Sequence, residues 1–451
     1  MTRRRTSLVA ALLAGLVIRL ATLTLPGTED VLVWKTWSYG ASNDVTSVYG
    51  VGGSPPERGV VTWKSRRTTV DYPPGTLYVL GLVGRGYRSG NAAFEDSDYL
   101  TAAIKLVTLL LDACTCAFVW ALARRFAGDA FAGAAAIGYW LNPATLLDGA
   151  VLGYLDPWMT APALAALLAA DAGLALVAGA ALAAAILVKA QAVFVAPVAA
   201  LLLWHAADRP WRSTAVGLGG FSGVAMAALA PFALRGAMPN VVQGVSSLLH
   251  HDMLSGTAAN FWWVVTWLLR AAYAVKDLGR WAAWTMTVRI LGISRVVALG
   301  YPNPRPFAIG AVVLAGLWAL YRANAAVRRG ASPAVIVAAG AFLVHAYFVL
   351  GVQVHENHLF LAIPLLAVSA AALPQLRGML AAVSGIAAAN LFLFYGIGRG
   401  FPLPPRHITV IDATVVLAAL NVMALWWHGA ELSVTCESSG RYDRASPAEW
   451  D

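Results

Sequence analysis

The chain has 451 residues, of which 59% are hydrophobic and only 12% charged, with a mean hydropathy of +0.66. A soluble domain is about 45–50% apolar and about 25% charged, so an ordinary cytosolic enzyme, a disordered chain and a collagen-like repeat are excluded, and lipid must solvate most of this surface. The net charge of +9 reads, in so apolar a chain, as basic cytoplasmic loops and not as a nucleic-acid footprint.

The first apolar run, 7–25, follows Arg3, Arg4 and Arg5. It has the outline of a signal peptide, but further runs follow it, so it reads as a first span. The others lie at about 101–122, 130–147, 156–170, 172–188, 191–206, 213–233, 306–322, 331–350, 358–373, 378–397 and 408–427. A span needs roughly 20 residues, so the expected architecture is all-α and polytopic, with about 12 transmembrane helices. Alternation puts Arg124, Arg125, Arg209, Arg212, Arg322, Arg328, Arg329 and Arg377 in short basic loops, on the cytoplasmic side. Two long connections, about 26–100 and 235–304, then fall on the outer side. Their stretches Tyr78 to Val83 and Phe261 to Leu269 suit helices lying in the membrane interface. Residues 1–427 form one expected transmembrane domain, and 428–451 a polar cytoplasmic tail. Cys114, Cys116 and Cys436 suggest no disulfide framework.

Polar residues cluster at the expected outer ends of the runs. Gly27-Thr28-Glu29-Asp30 follows the first run, and Asp30, Trp34 and Trp37 share a helix face. The same spacing also fits a solvated helix start, with acids at the positive end of the dipole. Asp71-Tyr72-Pro73-Pro74 sets a helix entry, with Asp71 as a possible cap. Asn142-Pro143 leads to Gly153-Tyr154-Leu155-Asp156, and Lys189-Ala190-Gln191 ends a later run. Lys189 is either a snorkelling side chain or a counter-ion on the same membrane face as Asp156. Gln353-Val354-His355-Glu356-Asn357-His358 lies at another outer end. Its two His are three apart, not the four of the zinc helix, and no third ligand is evident. It reads better as a phosphate or sugar site. Gly217, Gly219 and Gly220 lie inside an apolar run and read as helix packing. No Walker or Rossmann fingerprint occurs.

In this order the motifs resemble the GT-C superfamily of integral membrane glycosyltransferases, and most closely the bacterial relatives of the endoplasmic-reticulum glucosyltransferases that extend lipid-linked oligosaccharides. The resemblance runs from about residue 7 to 400 through Asp30, Tyr72-Pro73-Pro74, Asn142-Pro143 with Gly153 to Asp156, Lys189-Ala190-Gln191 and His355-Glu356-Asn357-His358, with Phe261-Trp262-Trp263 also familiar. It implies an inverting transfer of a hexose, mannose or glucose, from a polyprenyl-phosphate sugar. The acceptor would be a lipid-linked or cell-envelope glycan on the extracytoplasmic face of a bacterial plasma membrane. It implies Asp30 as general base, with Glu29 one residue away. Trp34, Tyr72, Asp156, Lys189, Gln191, His355, Glu356 and His358 would bind substrate, with His355 beside the donor phosphate and Lys189 its partner. Tyr154 departs from the Gln that related sequences often carry there. No metal, cofactor or nucleic-acid partner is implied; the expected partners are the lipid-borne donor, the glycan or glycolipid acceptor and membrane lipid. The competing class is a polytopic transporter or flippase. It would use the ionisable residues Arg19, Lys105, Asp112, Asp171 and Lys189; Lys105 and Asp112, seven apart on one helix face, would in the other reading be only a structural pair.

Overall fold

The computed structural model describes residues 2–50, 59–247, 253–276, 304–408 and 411–438. Among the described residues each apolar run lies mainly on helix, the last beginning only at Ala413 after the strand pair His407–Ile408 with Ile411–Asp412. Five helices are long and apolar enough to cross a membrane: Asp98–Ala127, Pro210–Leu234, Pro304–Arg328, Pro374–Tyr395 and Ala413–Glu437. The others are shorter than twelve full spans require. Ala175–Val188 has 14 residues, about 21 Å of helix against a hydrocarbon core of about 30 Å. The shortening occurs where the chain carries its motifs. The run at 130–147 stops as helix at Trp140, because Pro143 and a π-helical turn, Leu146–Leu152, follow. The long apolar stretch at 172–206 is broken at Lys189, whose extended backbone (φ −149°, ψ 124°) ends one helix and starts a 3₁₀ segment, Ala190–Val195.

The residues form two compact units, each described on its own. The first comprises Met1–Phe118, Thr145–His251 and Tyr395–Leu403. Within it Ala175–Val188 packs against both Asp156–Asp171 and Pro210–Leu234. The second of these contacts explains the glycines at 217 and 220: a Cβ on Gly220 would collide with the carbonyl oxygen of Leu176, and one on Gly179 with that of Gly217. The first long connection is ordered around the helices Glu29–Asn43 and Pro74–Gly90. Between them lies an antiparallel hairpin, Val60–Trp63 with Arg66–Thr69, that helical periodicity does not announce. Trp63 packs on Tyr39 and Phe94 at 5.9 and 5.7 Å between ring centroids. Buried Lys35 donates to Asp96 at 2.8 Å, and Arg66 donates to the other oxygen of that carboxylate. Burial alone would raise the Asp96 carboxyl, but these two cations bring it below its ordinary value.

The second unit comprises Val119–Ala144, Asp252–Phe394 and Pro404–Asp451. Ala334–Leu350 is its central helix, almost wholly buried, and packs against Pro304–Arg328, Ala362–Ala372 and the last helix. The last helix, Ala413–Ser438, passes the expected boundary at 427 by about three turns. His428, read from sequence as the first residue of a polar tail, is fully buried and meets His345 at 3.1 Å, Nδ1 to Nδ1. A polar residue that finds a buried partner continues the helix. Residues 439–451 of the expected tail and 277–303 of the second long connection lie outside the described residues.

Candidate active site

In the first unit the chain from the first helix to Asp30 is tied down by its backbone. Gly27 has φ +67°, and a Cβ there would lie 2.5 Å from the Leu152 carbonyl oxygen. Thr28 N–H donates to that same oxygen at 2.9 Å. Arg399 N–H donates to the Gly27 carbonyl at 2.7 Å. Asp30 then sits in the first turn of Glu29–Asn43, where its charge favours the helix dipole. Asp30 is half-buried, whereas Glu29 is 77% exposed and faces the Arg399 guanidinium at 3.8 Å. Asp30 is therefore the better held of the two carboxylates. The Arg399 loop runs through Gly396, Gly398 and Gly400, all at positive φ.

Trp34 and Trp37 turn inward from the same helix and are 2% and 1% exposed. Both meet Tyr72 edge-on, at 5.1 and 5.6 Å, and each other at 5.1 Å. Trp34 is thus enclosed by Trp37 and Tyr72. The helix after Tyr72 begins at Pro74 with Pro73 as its cap. Asp71, expected as a possible cap, lies before it, because proline already supplies the required φ without an N–H to satisfy. Burial pushes the Asp71 carboxyl up to about 6, against a smaller lowering by its own amide.

The same segment reaches the Lys189 element. Thr76 Oγ1 donates to the Val188 carbonyl at 2.6 Å. Gly75 passes so close to this backbone that a Cβ would lie 2.5 Å from the Leu187 oxygen. Lys189 Nζ bonds Asp156 Oδ1 at 2.8 Å, with side-chain exposures of 2% and 0%. The expected phosphate partner is thus closed onto the expected acidic ligand. Both were read as substrate-binding; in this structure they neutralise one another inside the unit. Gln191 is half-buried beside them in sequence. Asp30, Tyr72, Asp156 and Lys189 are joined through this string of contacts, so four motifs up to 160 residues apart in sequence form one assembly.

The His355–His358 element belongs to the second unit. His355 caps the short helix Glu356–Leu359, and its backbone N–H faces His358 Nδ1 at 3.4 Å. His358 Nδ1 also meets the Tyr347 hydroxyl at 2.9 Å. Glu356 is 4% exposed on its side chain and accepts a 2.7 Å bond from Thr257 Oγ1. The His355 ring is 37% exposed, with Nδ1 3.8 Å from Glu356 Oε2. His355 and His358 are thus half-buried, while Glu356 is enclosed between them. The second long connection holds the element by backbone bonds, Gly256 N–H to Val354 O at 2.8 Å and Gln353 N–H to Leu254 O at 2.9 Å. Thr257 and Gln353 both carry positive φ, +62° and +65°, a strain that clusters at functional sites. Asn390 reinforces the join: it accepts from Ala259 N–H at 2.9 Å and donates to the Glu356 carbonyl at 3.3 Å. Trp262 and Trp263 of the Phe-Trp-Trp stretch donate to Leu350 O and Thr414 Oγ1 at 2.7 and 2.8 Å.

Sequence reasoning did not single out Arg399, Asn390 or Thr257. Only Arg399 left a signal, the alternation of glycines around it. Among the described residues no three His, Cys, Asp or Glu side chains are grouped as a metal would need.

No family model and no curated protein sequence matches the chain. Among solved structures it is similar to ArnT from Cupriavidus metallidurans bound to undecaprenyl phosphate, at 13% identity and a TM-score of 0.50, covering 96% of this chain and 77% of that one. It is also similar to the Archaeoglobus fulgidus oligosaccharyltransferase, tethered to an acceptor peptide or in the apo form. There the identity is 14% and the TM-scores are 0.43 and 0.44. The chain spans 55% and 56% of that protein's length in the two structures. The likeness to ArnT shows a shared fold, that of a helical membrane protein.

Proposed function

We propose that this chain is an inverting membrane glycosyltransferase. It moves a hexose, mannose or glucose, from a polyprenyl-phosphate sugar to a lipid-linked or cell-envelope glycan on the outer face of a bacterial plasma membrane. The observation that carries the reading is Asp30. It is an accessible carboxylate at a helix start, held by backbone bonds from Thr28 and Arg399, with a guanidinium on the adjoining loop. The likeness in fold to ArnT, which is bound to undecaprenyl phosphate, supports the donor class.

A sugar hydroxyl is a poor nucleophile, so a positioned base must accept its proton as it attacks. Asp30 takes that proton while the hydroxyl oxygen bonds the anomeric carbon and the carbon–oxygen bond to phosphate breaks on the opposite face. The leaving group departs as polyprenyl phosphate, its charge met by fixed cations and donors. In the first unit Arg399 fits this role better than Lys189, because Lys189 is already spent on Asp156.

The transporter reading needs ionisable groups free to change partners. Arg19 is bound to Asp112 at 2.6 Å and Lys189 to Asp156 at 2.8 Å, all enclosed. Lys105 and Asp112, read as a possible pair, each bind elsewhere, since seven residues of helix separate them by about 10 Å. These charges are committed to structure, which weighs against transport. The test is release of polyprenyl phosphate from a panel of polyprenyl-phosphate sugars, with membrane glycolipid extract as acceptor. Wild type should release it and Asp30→Asn should not. Equal turnover in the variant would remove Asp30 as base, and no release from any donor would remove the transferase reading.

A further inference from the structure

Lys105 lies inside the Asp98–Ala127 helix and is 1% exposed. Among the described residues no carboxylate pairs with it. Its Nζ instead faces four backbone carbonyls: Thr22 at 3.2 Å, Leu25 at 2.9 Å, Ala150 at 3.0 Å and Val151 at 2.8 Å. Two of these lie just past the end of the first helix, on the strand of chain that leads to Asp30. The other two close the π-helical turn that leads through Gly153 to Asp156. Helix ends leave their last carbonyls without partners and carry the negative end of the dipole. An ammonium has three N–H donors, so this one nitrogen, acting as donor throughout, ties the two segments together with one N–H shared between two of the four acceptors. The stem of Lys105 also shapes the turn: Gly153 has φ +79°, and a Cβ there would lie 3.1 Å from Lys105 Cε. The Thr28 N–H bond to Leu152 sits between the two pairs of carbonyls and joins the same two segments.

We propose that Lys105 is a positioning residue that staples the Asp30 segment to the Asp156 turn, so that the base keeps one fixed placement. The geometry is independent of the reaction; the catalytic consequence rests on the transferase reading above. π-Helical turns occur chiefly at functional sites, and here the turn offers its carbonyls inward to a single cation. Without the ammonium these carbonyls would lose their shared donor, and the two segments would part to reach others.

The test uses the full chain in lipid nanodiscs. Lys105→Ala opens the site to added amines. Polyprenyl-phosphate release should fall by about 100-fold, the cost of misplacing a reacting group by about 1 Å, with KM for the donor little changed. n-Propylammonium, which carries N–H donors, should restore turnover, and tetramethylammonium, which has the charge without them, should not. A rate within about twofold of wild type, or equal rescue by the two cations, would overturn the staple. Amide hydrogen exchange on Lys105→Gln covers a failure of Lys105→Ala to fold, and also a wild type that transfers nothing. Faster exchange of 22–31 and 148–155 together, with the second unit unchanged, supports the staple even if the chain is not a transferase. Unchanged exchange in both segments would overturn it.

Discussion

The two units hold their candidate residues by different chemistry. The first uses charge: Arg19 with Asp112, Lys189 with Asp156 and Lys35 with Asp96 are buried or nearly buried ion pairs, and Lys105 binds carbonyls. The second uses neutral groups around His355: Thr257, Asn390, Tyr347 and His358 hydrogen-bond one another, the backbone or Glu356. Asp30 in the first unit and His355 in the second are both half-buried. A buried ion pair is expensive to break because the survivor is left charged and desolvated. A neutral bond costs only the desolvation of one polar group when its partner is removed. The first unit should therefore tolerate substitution of its supports less well than the second.

The largest effect expected is on rate. Asp30→Asn should reduce transfer by about 10²–10⁴-fold, the worth of a positioned base, while donor binding measured by ligand-dependent thermal shift persists. The comparison of supports comes next. Lys189→Met alone should destabilise the protein by about 3–5 kcal/mol by thermal unfolding in detergent, and pairing it with Asp156→Leu should recover most of that loss. Asn390→Ala, which orphans Ala259 N–H and the Glu356 carbonyl, should cost about 1–3 kcal/mol. A loss as large as that of Lys189→Met would sink the contrast between the units. Arg399→Ala should raise KM for the donor by about tenfold, the worth of one hydrogen bond to a charged group, whereas Glu29→Gln should change it little. Equal effects of the two would mean that the guanidinium acts only through Glu29.

The smallest effect is in pH. The folded Asp71 carboxyl titrates near 6, above its ordinary 3.8. For an acid so shifted the folded state holds the proton more tightly. Its ionisation therefore costs stability as pH rises from about 4 through 6, and costs nothing below about 4. Asp71→Asn should raise the unfolding temperature at neutral pH, and the gain should vanish toward pH 4. A gain independent of pH would assign it to packing. Asp96 shifts the other way and contributes only above its lowered value, so strong acid should loosen the Lys35–Asp96–Arg66 junction.

The helical class, the apolar runs and the positions of the motifs were legible in the sequence, because lipid demands long apolar segments and makes every polar residue within them conspicuous. The inward face of Asp30, Trp34 and Trp37 was readable for a similar reason: helical spacing puts residues four and seven apart on one side. Span count was less readable. Hydropathy set the break at Lys189, between the runs 172–188 and 191–206, but it registers 130–147 as one run although the helix there stops at Trp140. The end at 427 was misplaced because a histidine looks polar in sequence, whatever it meets in the fold.

Composition and periodicity thus determined that this chain is a helical membrane protein with polar clusters at the ends of its apolar runs. Both are local properties of the chain. Only the tertiary structure decided which charges are spent on one another. Lys189 closes on Asp156 across 33 residues, Arg19 on Asp112 across 93, and Lys105 on carbonyls up to 83 residues away. A charge in an apolar segment must find a partner, but the sequence does not say which. That choice is made by which side chains and backbones the fold brings within about 3 Å of it.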